Sequence, residues 1–352
     1  MCRWFAYISP TEPCLLEDVL ISPKHSLTKQ VSDHYLPKLL PHEHDANSEN
    51  DVKARNIVNN FDGLGVAWYT SSNADFERGK TGESSDGLQK EGLRPAMYKT
   101  IQPPSNDMNF LSICANTETR VCFGHIRASS GSAITPINNH PFVFGRHTFM
   151  HNGAVSDFLD IKRDVVNEMS REVYPHVLGG TDSEHIAGLY MTYLTSSSTS
   201  KTPFEELYPI QAMAASLHKT VATVLAFQQL RLGAHKKPNS LNLCVTDGVH
   251  LLAYRFRNHR TSQPPSLYYS TKAGTTLNRK YRDSPDGIDA PQREVGIPEE
   301  LHGKHLIVAS EPSTYKEEDW ELIGKNQILI SGPDGVFTVE DVPYGQGWDA
   351  EG

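Results

Sequence analysis

The chain opens on an apolar run: Trp4, Phe5, Ala6, Tyr7 and Ile8 follow Arg3, and Pro10 closes it. Aromatic and β-branched residues stopped by proline predict a short buried strand over 3–9. Residues 11–40 read as loop with short helical pieces, one of them at 15–20. The stretch 42–51 is polar and expected to be exposed. GLGVAWY at 63–69 reads as a strand entered through glycines. Residues 71–91, rich in Ser, Gly and charge, read as a surface insertion or hairpin tip. RVCFGHIRA at 120–128 predicts a strand by content. SSGSAITPINN at 129–139 is turn chemistry and predicts a loop. Residues 147–155 start as a strand that is expected to turn at Asn152-Gly153, because Asn-Gly favours positive φ.

The period then changes. Thr181-Asp182-Ser183-Glu184 matches a capping box, with Thr181 as N-cap. Behind it Ile186, Leu189, Tyr190 and Tyr193 recur at helical spacing. A longer helix is predicted from about 204 to 232 on the stripe Leu207, Ile210, Ala214, Leu217, Val221 and Leu225. Strands follow at 241–246, 250–256, 267–270, 305–309 and 327–331, with a polar loop at 279–298. Strands, then helices, then strands predict a layered α+β fold. We expect one domain over 2–352, with polar insertions near 42–55, 71–91 and 279–298.

Composition narrows the function. Lys plus Arg is 33 against 42 Asp plus Glu, a net charge of −9, which argues against a nucleic-acid surface. The longest apolar stretch, 221–227, is broken by Thr223 and falls far short of the roughly 20 residues that a membrane span needs. Pro10 and Glu12 follow the first apolar run too closely for a signal peptide. Cys2, Cys14, Cys114, Cys122 and Cys244 form no CxxC pair, which points to a reducing compartment, the cytoplasm. Cys114, Cys122 and Cys244 sit in apolar segments and read as inert core thiols. The pairs His42/His44 and His147/His151 lack further ligands at set spacing, so neither a metal nor another cofactor is expected.

The chemistry begins at position 2. Methionine is commonly removed before a small residue, and removal would leave Cys2 with a thiol and a free α-amino group. That amine titrates near pH 7.7–8.0, roughly, and can act as base toward its own thiol. Arg3 next door would favour thiolate. The simple alternative is a cysteine in a frayed terminus, but a strand that starts at once holds Cys2 in place. Asn152-Gly153 offers a side-chain amide beside a backbone N–H, two donors for a tetrahedral oxygen; a plain turn is the alternative. Arg127 ends an otherwise apolar strand and could fork onto a carboxylate, or serve a structural ion pair. Asp182, in the first turn of its helix, could accept from an ammonium group, or simply suit the helix dipole.

Taken in order, Met1-Cys2-Arg3, Gly124-His125-Ile126-Arg127-Ala128-Ser129, Asn139-His140-Pro141-Phe142, His151-Asn152-Gly153 and Thr181-Asp182-Ser183-Glu184 resemble the motifs of class II glutamine amidotransferases. The resemblance implies an N-terminal-nucleophile hydrolase fold, a four-layer αββα sandwich of two stacked, mainly antiparallel sheets. It implies Cys2 as nucleophile, Asn152 and Gly153 as oxyanion hole, Arg127 for an α-carboxylate and Asp182 for an α-ammonium. Residues 129–139, with Ser129, would close over substrate, and His140 would order that loop. Asp62 to Tyr69 and Ala309-Ser310-Glu311-Pro312 resemble a stand-alone subfamily that includes the amidotransferase subunit of the fungal glutathione-degrading (Dug) complex. The implied reaction is hydrolysis of a γ-glutamyl amide, in glutathione or glutamine, beside a peptidase-like partner. Because one domain takes up the length, transfer of ammonia would need a partner enzyme. Two alternatives stand: a glutaminase subunit delivering ammonia to a partner, and a non-catalytic scaffold with the same fold.

Overall fold

A computed structural model describes residues 2–31, 62–77, 92–129, 131–281, 297–314 and 316–350. The polar stretch 42–55 and most of the insertions expected at 71–91 and 279–298 lie outside these residues. In chain order the elements are β1 (Arg3–Ile8), β2 (Cys14–Leu15), α1 (Leu16–Leu20), β3 (Leu64–Thr70), α2 (Ser72–Glu77), β4 (Arg94–Thr100), α3 (Met108–Asn116), β5 (Glu118–Thr119) and β6 (Val121–Ile126). Next come β7 (Phe142–Phe144), β8 (His147–Ala154), α4 (Phe158–Glu168), α5 (Asp182–Thr195), α6 (Ile210–Leu232), β9 (Ser240–Thr246) and β10 (Leu251–Arg257). The last are β11 (Tyr268–Ser270), α7 (Ala273–Thr276), β12 (Leu306–Ala309), β13 (Glu321–Leu322), β14 (Gln327–Ser331) and β15 (Phe337–Asp341).

One of the two large sheets has the order β13-β11-β12-β1-β6-β3-β4, the other β15-β14-β10-β9-β8-β7, and β2 pairs with β5 in a small third sheet. Neighbours in both large sheets run antiparallel. The alternation along β1 explains the layers. Trp4, Ala6 and Ile8 point between the sheets and meet Met150, Cys244, Leu251 and Ala253 of the second sheet. Phe5 and Tyr7 point the other way, under Leu16, Val19 and Leu20 of α1 and Phe110 and Cys114 of α3. The far face of the second sheet, with Phe149, Leu243 and Val245, is covered by α4, α5 and α6. A strand covered on both faces reads as continuous apolar sequence, as β1 does. Burying Phe5 alone is worth about 1.5–3 kcal/mol, so the segment that carries Cys2 is firmly anchored. Burial pushes the Cys114 and Cys244 thiols well above their usual range. No helix among the described residues is long and apolar enough to cross a membrane.

Three expectations are corrected. Asn152-Gly153 is not a hairpin turn: β8 runs through both and pairs with Asn242 and Leu241 of β9. Gly153 does take a positive φ of 146°, but what demands glycine is the close approach of the Ser240 carbonyl, which a Cβ would overlap. The long helix starts at Ile210 and not near 204, because Pro209 is its N-cap and disfavours helical backbone at the residue before it. The capping box is half made. The Thr181 side chain accepts from Glu184 N at 3.1 Å, whereas the Glu184 carboxylate turns back to the N–H groups of Leu178 and Gly179. The sequence pattern predicts neither strands β4, β7 and β15, nor helices α2, α3, α4 and α7, nor the two-residue strands β2, β5 and β13. Strand β4 (RPAMYKT) lies at a sheet edge and is mostly half-buried, so it lacks the apolar run that marked the central strands.

Candidate active site

The start of β1 brings Cys2, half-buried, to the end of β6. The Ala128 N–H donates to Cys2 Sγ at 3.3 Å, and the Ala128 carbonyl accepts from the thiol at 3.5 Å. Burial pushes this thiol above its ordinary value, and the Ala128 N–H and the charges of Arg127 and Arg3 only partly offset that. The expectation that Arg3 favours thiolate therefore holds in sign and is outweighed in size. Arg3 Nε is itself paired with Glu311 Oε1 at 2.5 Å. A thiol kept protonated needs a base to become a nucleophile.

Arg127 follows directly on β6, and its backbone is bonded to Gly63 O and Asp62 N. Its buried guanidinium reaches into the 129–139 loop. Nη1 donates to Ala133 O at 3.1 Å and Asn139 Oδ1 at 3.2 Å. Nη2 donates to Ser132 Oγ at 2.6 Å and Ser129 Oγ at 3.3 Å. These acceptors are neutral, and among the described residues no carboxylate forms an ion pair with Arg127. A buried cation usually finds an anion, so this cradle suits a carboxylate brought by a ligand. The loop is pinned at both ends: Ser129 N donates to Asp62 Oδ2 at 2.6 Å, and Asn139 Nδ2 to Thr100 O at 2.9 Å.

Asn152 and Gly153 lie at the end of β8 in the facing sheet. The Asn152 side chain is buried, with Oδ1 unpartnered and Nδ2 only 3.5 Å from Ser310 Oγ. Trp4 N donates to that same Ser310 oxygen at 3.1 Å, which brings Asn152 beside the start of β1. Asp182 closes the group. Its Oδ2 accepts from Val155 N at 2.8 Å, its Oδ1 from Ser183 N at 2.8 Å, and Ser183 Oγ lies 2.9 Å from His151 Nδ1. The structure thus gathers Cys2, Arg127, Ser129, Asn152, Gly153 and Asp182 at one end of the sandwich.

His140 makes no hydrogen bond to these side chains. It is buried at the C-terminal end of the loop with neither ring nitrogen bonded, 4.1 Å from the His125 ring and edge-on to Phe142. Burial holds His125 down to about 3 and His140 well below its ordinary range. Unfolded histidines take up protons near pH 6.5, so below that pH the unfolded chain binds more protons. Stability then falls as pH drops from about 6.5 toward 3, by up to roughly 1.4 kcal/mol per pH unit for each ring. His140→Phe is expected to shrink the difference between urea midpoints measured at pH 7.5 and 5.0. An unchanged difference would mean that His140 titrates normally in the folded protein.

His42 and His44 lie outside the described residues; His147 Nε2 and His151 Nε2 each face a backbone carbonyl. Sequence reasoning assigned no role to Asp62, Asn139, Ser310 or Glu311, although all four stood within the motifs it quoted.

No family model matches the chain. It is 27% identical over 333 residues, 94% of this chain and 81% of the relative, to a protein of Saccharomyces cerevisiae named probable glutamine amidotransferase DUG3. Among solved structures, a glutamine aminotransferase class-II domain protein from Silicibacter pomeroyi matches with a TM-score of 0.56 at 19% identity, over 97% of this chain and 99% of that one. In fold the chain is a sandwich of two stacked, antiparallel sheets between helical layers like that class-II domain, and in sequence it is similar over nearly its whole length to the yeast protein named a probable glutamine amidotransferase.

Proposed function

We propose that this protein is a cysteine-dependent hydrolase of γ-glutamyl amides that works through a γ-glutamyl thioester on Cys2. One observation carries the reading: the Ala128 N–H holds the Cys2 thiol, and the guanidinium of Arg127, the residue just before it, is bonded to neutral loop oxygens with no carboxylate ion pair among the described residues. A γ-glutamyl group has its α-carboxylate at one end and its reactive carbonyl at the other, so it matches such a pair. After loss of Met1, the α-amino group of Cys2 takes the thiol proton and Sγ attacks the γ-carbonyl. Asn152 Nδ2 and Gly153 N–H donate to the oxygen that becomes negative. The C–N bond breaks and the amine departs with the proton from the α-ammonium group. Water then cleaves the thioester, releasing glutamate and restoring the thiol. Arg127 exchanges loop oxygens for the α-carboxylate, Asp182 accepts from the α-ammonium, and the loop with Ser129 closes, ordered from below by His140.

These residues read only the glutamyl half, so glutamine and glutathione both fit. The subfamily resemblance favours glutathione breakdown beside a peptidase-like partner, and the DUG3 symbol of the yeast relative fits it; the words glutamine amidotransferase in that same name favour glutamine. Five scattered cysteines without a CxxC pair favour a reducing compartment, the cytoplasm. The test measures glutamate release from each substrate by protein whose intact mass shows Met1 removed, with and without co-purifying proteins. Release from glutathione, raised by a partner, is the expected result. Release from glutamine alone would favour the ammonia-delivering reading, and no release from either would overturn the proposal.

Arg127→Ala is expected to raise KM with kcat changed far less. The lost charge-assisted bonds are worth roughly 1.5–3 kcal/mol, about ten- to 150-fold in affinity. Arg127→Lys should rescue little, since a point charge does not reproduce the fork. Steady-state kinetics checks this, and an unchanged KM would remove Arg127 from the substrate site.

A further inference from the structure

Pairing between β12 and β1 stops at Phe5↔Ala309. The residues that matter most, Cys2 to Trp4, therefore begin where the ladder on that side has ended. Two consecutive side chains take over. Ser310 N still donates to Trp4 O at 2.9 Å, but Trp4 N donates to the Ser310 hydroxyl instead of a backbone carbonyl. Ser310 Oγ is also the contact of Asn152 Nδ2, and Ser310 O is held by Ser266 Oγ at 2.9 Å. Glu311, 3% exposed, places Oε1 on Arg3 Nε and Oε2 2.8 Å from His25 Nε2. Arg3 Nη1 in turn donates to the Cys2 carbonyl at 3.1 Å.

We propose that Ser310 and Glu311 are positioning residues that fix the nucleophilic residue relative to its oxyanion donor: Glu311 through Arg3 to the backbone of Cys2, Ser310 through Trp4 and Asn152. The proposal rests on the reading of Cys2 as nucleophile. A buried carboxylate with both oxygens engaged suits this task, because an ion pair inside the protein holds one geometry. Burial pushes the Glu311 carboxyl up, and the Arg3 charge and the His25 contact more than reverse that, so it stays ionised. Its charge also offsets that of Arg3, which pulls the Cys2 thiol down. Removing the carboxylate while keeping its shape should therefore loosen Cys2 and lower the pH at which its thiol ionises.

The full chain carrying Glu311→Gln tests this by two readouts. The pH midpoint of Cys2 alkylation by iodoacetamide should move down by half a unit or more. Glutamate release should lose tenfold or more in kcat, with KM within twofold. Ser310→Ala keeps the charges and serves if Glu311→Gln does not fold; it should lose about fivefold or more in kcat, with KM and the alkylation midpoint unchanged. The proposal is overturned if Glu311→Gln alters neither midpoint nor kcat, if it raises KM alone, or if Ser310→Ala turns over like the parent. The alkylation readout needs no turnover, so it separates failure of this proposal from failure of the hydrolase reading, which activity in a Cys2→Ala variant would expose.

Discussion

Cys2→Ala is expected to reduce glutamate release from glutamine and glutathione to the background of the assay, a loss of at least about 10⁴-fold. Removing the nucleophile of a covalent hydrolase elsewhere costs up to about 10⁶ in kcat, and what remains comes from the oxyanion hole and binding. The same division should hold here. Arg127 and Asp182, held by their own networks at the end of β6 and the start of α5, are untouched by the change. Glutamine binding to the variant, measured by calorimetry, should stay within about twofold of the parent. Stability should change little, since the substitution removes one sulfur atom at the end of β1 whose hydrogen bonds go to the Ala128 backbone. Equal rates for parent and variant would end the thioester mechanism. Loss of both rate and binding would mean that the sulfur supports the pocket and is not its nucleophile.

Gly153→Ala should have the largest effect on stability. The backbone there has φ of 146°, where residues with a Cβ are strained, and the added carbon would overlap the Ser240 carbonyl on β9. Strain costs about 1–3 kcal/mol, and forcing β8 and β9 apart about 1–3 kcal/mol more. Together these consume much of a usual folding stability of about 5–15 kcal/mol. Any shift of Gly153 moves Asn152, so the soluble fraction should also lose activity. Gly180→Ala is the control, because its Cβ would meet nothing within 4 Å and its φ is not positive. Thermal unfolding of the two variants side by side checks the claim. A Gly153→Ala midpoint within a degree or two of the control would show that the strands part without cost.

Asn152-Gly153 was picked out for its two donors and misread as a turn. The dipeptide signal is real, since Gly153 does adopt positive φ, but a neighbouring strand used that freedom for close approach. Local preference describes what a residue tolerates, and the partner decides how the tolerance is used. The late Ser310-Glu311 motif was visible as letters without a role. Its partners, Arg3, Trp4 and Asn152, lie 158 or more positions away, and no spacing rule connects them.

By itself the chain determined its central strands, the N-cap at Thr181, the layered α+β class and the residue types at the site. Those follow from local physics: apolar content where both faces are covered, side-chain caps for unpaired N–H groups, and a cysteine placed where loss of Met1 would leave amine and thiol on one residue. Tertiary structure decided the edge strands, the true start of α6, the burial that pushes the Cys2 thiol up and the company kept by Arg127 and Glu311. Each of these depends on desolvation or on contacts between segments far apart in sequence, and such terms exist only once the sheets have stacked.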